Sequence, residues 1–424
     1  MTNEIRPIPG SPQEQLLKST VREVGFGGQA GGGKSYALLL DALYQLHKPG
    51  YDAILFRRTY KQLREAGGLI DLSSEIYHHL GGTYNQSNYV WTFPNYHNNT
   101  IRFSHLEHEK NIQDFSGSQY PYIGFDELQN FTERQYLFLF SRNRSGNPDI
   151  NLYIRSTFNP GGIGHFWIKK RFIDSTNLTP KYYKRINGIE TETGRNDTEA
   201  TSRLFIPARL EDNPYLYLDG KGDYERGLSQ LDPIDYARLR LGDWDIRRSG
   251  RVYHAFTQPG PASYDLDLSK AEGYYHSHDF GAVNHVWGLW AKIGSIYYLI
   301  HSEKLAEGTT AARAGKVKSH FRDRKVVAGW GGAKSEKQQR LDYIKEGVKI
   351  RLPSITDVEG QINIANKMIE AGKMVICSDQ LEVIDDLENT IRDSKEGIQD
   401  KSIHHWCDML RYFAAGINKR GWVR

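Results

Sequence analysis

The stretch Gly27-Gly28-Gln29-Ala30-Gly31-Gly32-Gly33-Lys34-Ser35-Tyr36 decides the fold of the first half of this chain. From Gly28 onward it satisfies the pattern G-x-x-x-x-G-K-[ST] in full. Such a loop turns the backbone N–H groups of Gly28 to Gly33 inward on a phosphate. Lys34 reaches the outer oxygens and Ser35 offers a hydroxyl to Mg²⁺. The flanks agree: TVREVGF (20–26) alternates as a strand does, and SYALLLDALYQLH (35–47) carries apolar residues at helical spacing.

Working outward, DAILF (52–56) reads as a buried strand, followed by a helix that stops at Gly81-Gly82. YVWTF (89–93) and TIRFSHL (100–106) flank PNYHNN as a hairpin. PYIGFDE (121–127) and INLYIRSTF (150–158) are apolar runs ending in polar residues, with the helix ERQYLFLFSR between them. Strands alternating with helices predict a mostly parallel sheet with its function at the strands' C-terminal ends. Asp126 is placed to join the Mg²⁺ shell, and Glu127 to polarise an attacking water. Ser156-Thr157-Phe158-Asn159-Pro160 ends the next strand; in motor ATPases a polar residue there, Thr157 or Asn159 in this chain, sits by the outermost phosphate, and a simple Asn-Pro turn is the other reading. Arg142 and Arg144 precede that strand, and either is a candidate arginine finger toward a neighbouring subunit, with solvated surface charge as the other reading.

From about 175 to 250 the pattern loosens. NGIETETGRNDTEATS is polar, and the segment down to Asp245 reads as a small helical lid, with RRSGRVYHAF (247–256) as a linker. Residues 1–250 therefore form a P-loop ATPase domain, and 257–424 a second domain. In the second, GYYHSHDFG (273–281) and VWGLWAKIGSIYYLI (286–300) supply three strands, after which helices alternate with KVVAGW, VKIRLP and MVICSD. That order is the order of an RNase-H-like nuclease sheet.

Composition excludes several classes. With 38% hydrophobic and 25% charged residues among 424, the chain can bury more than one core. No apolar run approaches the roughly 18 residues of a membrane span, so no membrane partner is expected. The first residues lack the apolar stretch of a secretory signal. Cys377 and Cys407 alone exclude a disulfide framework and fit a reducing cytoplasm. Lys plus Arg number 55 against 51 acids, a mild excess that permits a nucleic-acid partner without requiring one.

These motifs make the chain resemble the large terminase subunit of tailed bacteriophages. GQAGGGKS, YIGFDE, STFNP, the LGDWD-to-RVYHAF junction and two acids of the second domain carry the resemblance over nearly the whole length. It implies an ATP- and Mg²⁺-dependent motor that drives double-stranded DNA into a procapsid, and an endonuclease using Mg²⁺ or Mn²⁺ that cuts the concatemer. It also implies a portal protein and a small terminase subunit as partners. The chain alone is expected to be a monomer that forms a ring on the portal, in the host cytoplasm and not in the mature virion. Gln13 or Gln15 becomes the candidate adenine contact. Asp279, ending the first strand, matches the family's first acid, and Asp408, opening the helix DMLRYFAAGI, its last, with His405 placed to touch a metal or a water. Another acid is usual at the end of VVAGW, where this chain has Gly329-Trp330; Glu303, Glu336 and Asp400 are the possible replacements. Lys334, Lys337 and Arg340 are candidates to neutralise DNA phosphates, and a solvated helix face is the other reading of them. His276/His278 and His404/His405 read as core or surface histidines rather than a zinc site. Two rivals stay open: a packaging ATPase whose second domain is a weak or inactive nuclease serving as DNA-binding, portal-docking scaffold, and an unrelated P-loop machine such as a helicase.

Overall fold

The structure, a computed structural model, describes residues 6–176, 178–186, 189–217, 222–247, 249–281, 285–393, 397–399 and 401–418. The chain divides into two compact units, residues 1–246 and 247–424.

The first unit is built on a sheet of ten strands: β1 (Glu23–Gly28), β2 (Asp52–Arg57), β3 (Thr83–Asn85), β4 (Val90–Phe93), β5 (Asn99–His105), β6 (Tyr122–Phe125), β7 (Tyr153–Phe158), β8 (Lys181–Ile186), β9 (Ile189–Thr193) and β10 (Thr201–Ala208). Their order is β3-β4-β5-β2-β6-β7-β1-β10-β8-β9. The six strands from β5 across to β10 in that order run parallel. β3, β4, β8 and β9 add antiparallel edges. Every residue of β1 and β7 is buried, as central strands covered on both faces must be. The hairpin expected around PNYHNN is β4–β5. β7 lies between β1 and β6, so the glycine-rich loop and Asp126 are one strand apart.

A helical lid over all of 175–250 is not what forms. β8, β9 and β10 occupy the first part of that segment, and β10 pairs with β1 itself. The polar residues suit the half-exposed edge hairpin β8–β9, while Leu204, Phe205 and Ile206 are buried beside β1. Only residues beyond β10 form the lid, in short helical turns such as Asp223–Leu228 and Pro233–Tyr236.

The second unit has strands β11 (Gly273–Asp279), β12 (Val286–Ile293), β13 (Ile296–Lys304), β14 (Val326–Gly331) and β15 (Met374–Ile376), ordered β14-β11-β12-β13-β15. β11, β12 and β13 form an antiparallel meander, and β14 runs parallel to β11. Arg351 bridges Trp330 in parallel on the far side of β14. Three antiparallel strands followed by one parallel to the first is the RNase-H-like arrangement, with β15 added beside β13. The last helix, His405–Ile417, packs on this sheet. Its Phe413 stacks on Trp290 at 3.9 Å between ring centres, and Met409 Sδ accepts from Ser277 Oγ at 2.9 Å. Cys377 and Cys407 are buried and free. Among the described residues no helix is long and apolar enough to cross a membrane.

Candidate functional site

In the first unit the clamp opens the helix Lys34–Asp41. Gly33, at its N-cap, has φ +70° and no side-chain cap, which leaves the first-turn N–H groups available to an anion. Gly28 has φ +127°, a conformation that side chains rarely adopt. Lys34 Nζ donates to Gln29 O. Burial pushes its pKa down to about 8, although Asp126 and Glu127 pull the other way. The lid braces the loop: Ala30 N donates to Leu239 O at 2.7 Å, Asn213 Nδ2 to Gly31 O at 2.7 Å, and Leu210 N to Gln29 Oε1 at 2.9 Å. Of the two glutamines, Gln13 is buried against the loop, its Nε2 3.4 Å from Gly32 O, whereas Gln15 is exposed.

Three adjacent strands bring the predicted acids together. Ser35 Oγ donates to Asp126 Oδ1 at 2.9 Å, and Thr157 Oγ1, from β7, donates to the same oxygen at 2.6 Å. A hydroxyl and a carboxylate facing each other beside a lysine are the donors that Mg²⁺ on a triphosphate requires. Glu127 stands next to them with φ +59°, a left-handed conformation uncommon for a non-glycine residue. Its N–H donates to Thr157 Oγ1 at 3.1 Å, and burial raises the pKa of its carboxyl. Asn159 offers N–H to Gln129 Oε1 at 3.2 Å, while its own Oδ1 is buried without a partner. Arg57 is the residue that pattern reading missed. At the end of β2, it donates from Nε to Asp126 Oδ2 at 2.7 Å and from Nη2 to Glu127 Oε1 at 3.4 Å. Arg142 and Arg144 lie elsewhere, bonded through Arg142 O to Tyr120 N and through Arg144 Nη2 to Gly117 O, beside the N-terminal end of β6.

In the second unit, Asp279, Glu336, Lys401, Asp408 and Arg411 line one cleft of about 340 Å³. Asp279 Oδ2 bonds His405 Nδ1 at 2.9 Å, and His405 Nε2 is buried with no partner. Burial, then the charges of Asp408 and Glu336, raise the Asp279 pKa to about 8. A buried carboxyl whose ionisation is disfavoured by its burial and by two neighbouring acids is placed as a ligand of a divalent ion, whose charge would offset both. Asp408 accepts from Arg411 Nε at 2.8 Å, one helical turn on, another partner that sequence reading missed.

Gly329, two residues before the end of β14, has a steric cause. A Cβ on Gly329 would lie 1.9 Å from the His276 ring, so an acid there would have to displace that buried ring. His276 belongs to a buried chain: its Nδ1 lies 2.9 Å from His278 Nε2, and His278 Nδ1 lies 3.3 Å from His285 Nε2. Of the replacement acids, Glu336 faces the cleft. Glu303 is absent from its lining and pairs with Lys316, and Asp400 lies outside the described residues. His404 is buried against Asp386. Arg340 is no free phosphate contact: it is buried and donates to Gly331 O and Ala333 O, bracing the turn after β14, while Lys334 and Lys337 are exposed.

The fold and the first site define a P-loop nucleoside-triphosphatase joined to an RNase-H-like unit. Residues 26–257 match the family model described as terminase large subunit, T4likevirus-type, N-terminal. This is more than half of the chain, and the chain belongs to that family. Among solved structures it is similar to the large terminase of a thermophilic bacteriophage in complex with ADP, at 17% identity and a TM-score of 0.45, over 95% of this chain and 98% of that one. The bacteriophage HK97 large terminase matches at 10% identity and TM-score 0.43, over 98% and 95%. The large terminase nuclease domain of bacteriophage SPP1 with bound Mn matches at 17% and 0.30, over 38% and 94%. No curated protein matches the chain.

Proposed function

We propose that this large terminase chain hydrolyses ATP to drive double-stranded DNA into a procapsid and cuts that DNA with a divalent-metal nuclease. The observation that carries the ATPase reading is the convergence of Ser35, Asp126, Thr157 and Glu127 on three neighbouring strands beside Lys34. Mg²⁺, when bound by Ser35 and Asp126, would supply neutralisation of phosphate charge. Glu127, with a raised pKa, is placed to take a proton from water. Arg57 holds both acids in register, and Thr157 links Asp126 to the backbone of Glu127. In the second unit Asp279, Asp408 and Glu336, with His405, supply oxygen and imidazole donors that suit Mg²⁺ or Mn²⁺. The family assignment extends the reading to a portal protein and a small terminase subunit as partners, to a ring assembled on the portal from monomers, and to the host cytoplasm.

Two variants test the two halves separately. Lys34→Ala is expected to abolish ATP hydrolysis and to leave Mn²⁺-dependent nicking of supercoiled plasmid intact. Asp279→Ala should do the reverse. Normal ATP hydrolysis by Lys34→Ala would refute the clamp assignment. Absence of cleavage by the unmodified chain under any divalent ion would favour the scaffold reading of the second unit. Unwinding of a forked duplex would point instead to a helicase.

A further inference from the structure

A second group of metal-type donors lies in the RNase-H-like unit, away from the cleft of Asp279. His301 and Glu303 are two residues apart on β13, so they project from the same face of the sheet. The helix Thr310–Ser319, which covers this face, ends at His320, whose ring stacks on His301 with 4.2 Å between centres. One ligand atom from each of His301, Glu303 and His320 lies within 4.8 Å of the others. Two polar atoms of this group have no hydrogen-bond partner. His301 Nε2 and Glu303 Oε2 face each other at 3.8 Å, too far for a hydrogen bond, and both are buried without a partner. Lys316 Nζ holds the other oxygen of Glu303 at 2.5 Å and so fixes the carboxylate with Oε2 turned inward.

We propose that His301, Glu303 and His320 bind one divalent transition-metal ion of the zinc class. Two imidazoles and one carboxylate are the donors of an open zinc site, with a water as fourth ligand, and they favour such ions over Mg²⁺ or Ca²⁺. Room for that water exists: a hollow of about 230 Å³ is lined by His301, His320, Arg324, Ser263 and Tyr264. Arg324 and Lys316 add positive charge nearby, which opposes any cation and must be offset by the N-donor bonds. The ion would tie the end of the covering helix to the third strand of the sheet.

The test is zinc titration of the full chain against a chromophoric chelator, with Asp279→Ala/Asp408→Ala removing the nuclease cleft from competition. That double variant is expected to retain one zinc per chain and, with Co²⁺, to show the d–d bands of a tetrahedral site. Adding His320→Ala should weaken zinc binding at least tenfold and abolish those bands, while the metal-free melting temperature stays close to that of the parent. Glu303→Gln, which preserves shape, should weaken binding in the same direction. Zinc affinity unchanged by both substitutions, or no zinc bound by the double variant, would overturn the proposal.

Discussion

Asp279→Asn should make the metal-free protein more stable, and increasingly so as pH rises. The Asp279 carboxyl is buried beside Asp408 and Glu336, and its pKa stands at about 8 in the folded chain. In the unfolded chain it returns to about 4. A group whose folded pKa is raised stabilises fully below the unfolded value, and that contribution is lost as pH rises through the folded one. Each unit between the two values is worth about 1.4 kcal/mol, so the ceiling at pH 8 is about 5 kcal/mol. Even 1 kcal/mol moves the melting temperature of a unit this size by about 2–4 °C. The assay is thermal or urea unfolding of both proteins in chelator from pH 4.5 to 8. The curves should nearly meet at the acid end and diverge above it, with Asp279→Asn the more stable. Mn²⁺ added at pH 8 should stabilise the unmodified chain and leave Asp279→Asn almost unmoved. Parallel pH profiles, or equal stabilisation by Mn²⁺, would refute the reasoning that burial and neighbouring charge hold Asp279 protonated until a metal binds.

Arg57→Ala should lower the kcat of ATP hydrolysis at least about tenfold, about 1.4 kcal/mol of barrier, with a smaller effect on binding of a fluorescent nucleotide. Glu23→Gln should destabilise the first unit by about 3–5 kcal/mol in urea, because it leaves a buried cluster of arginines short of its anion. Glu23 accepts from Arg203 Nε at 2.9 Å and Arg171 Nη2 at 3.1 Å; burial would raise its pKa, but the arginines hold it at about 2. Gly329→Asp should not create a metal ligand: its Cβ would strike His276, costing about 1–3 kcal/mol or more, and isothermal titration should show no gain in Mn²⁺ affinity.

The clamp and its first acid are legible in the sequence because both are local: Gly28 to Ser35 and Tyr122 to Asp126 each fit one strand and one turn. Arg57 is not, since nothing in DAILFRR tells where its guanidinium goes; only the pairing of β2 with β6 puts it on Asp126, 69 residues later. Glu336 stands in the sequence as one replacement among three. Choosing it requires the fold, because β14 and the turn after it swing that side chain into the cleft while Glu303 points to Lys316. The strands of 181–208 are hidden for another reason. A hairpin at the rim of a sheet is wetted on its faces, so IETET and its neighbours carry the polarity of a loop.

That same segment bears on how the protein is made. β1 emerges among the first 28 residues, but its flanks are β7 and β10, and the loop that follows it is fastened to Ala208 and Leu239. During synthesis the glycine-rich turn must therefore wait, unsupported, until the chain has been extended through Leu239. A truncated chain ending before β10 would carry the complete motif and still lack the wall that shapes it. The earliest part of the engine to be translated is among the last to be assembled.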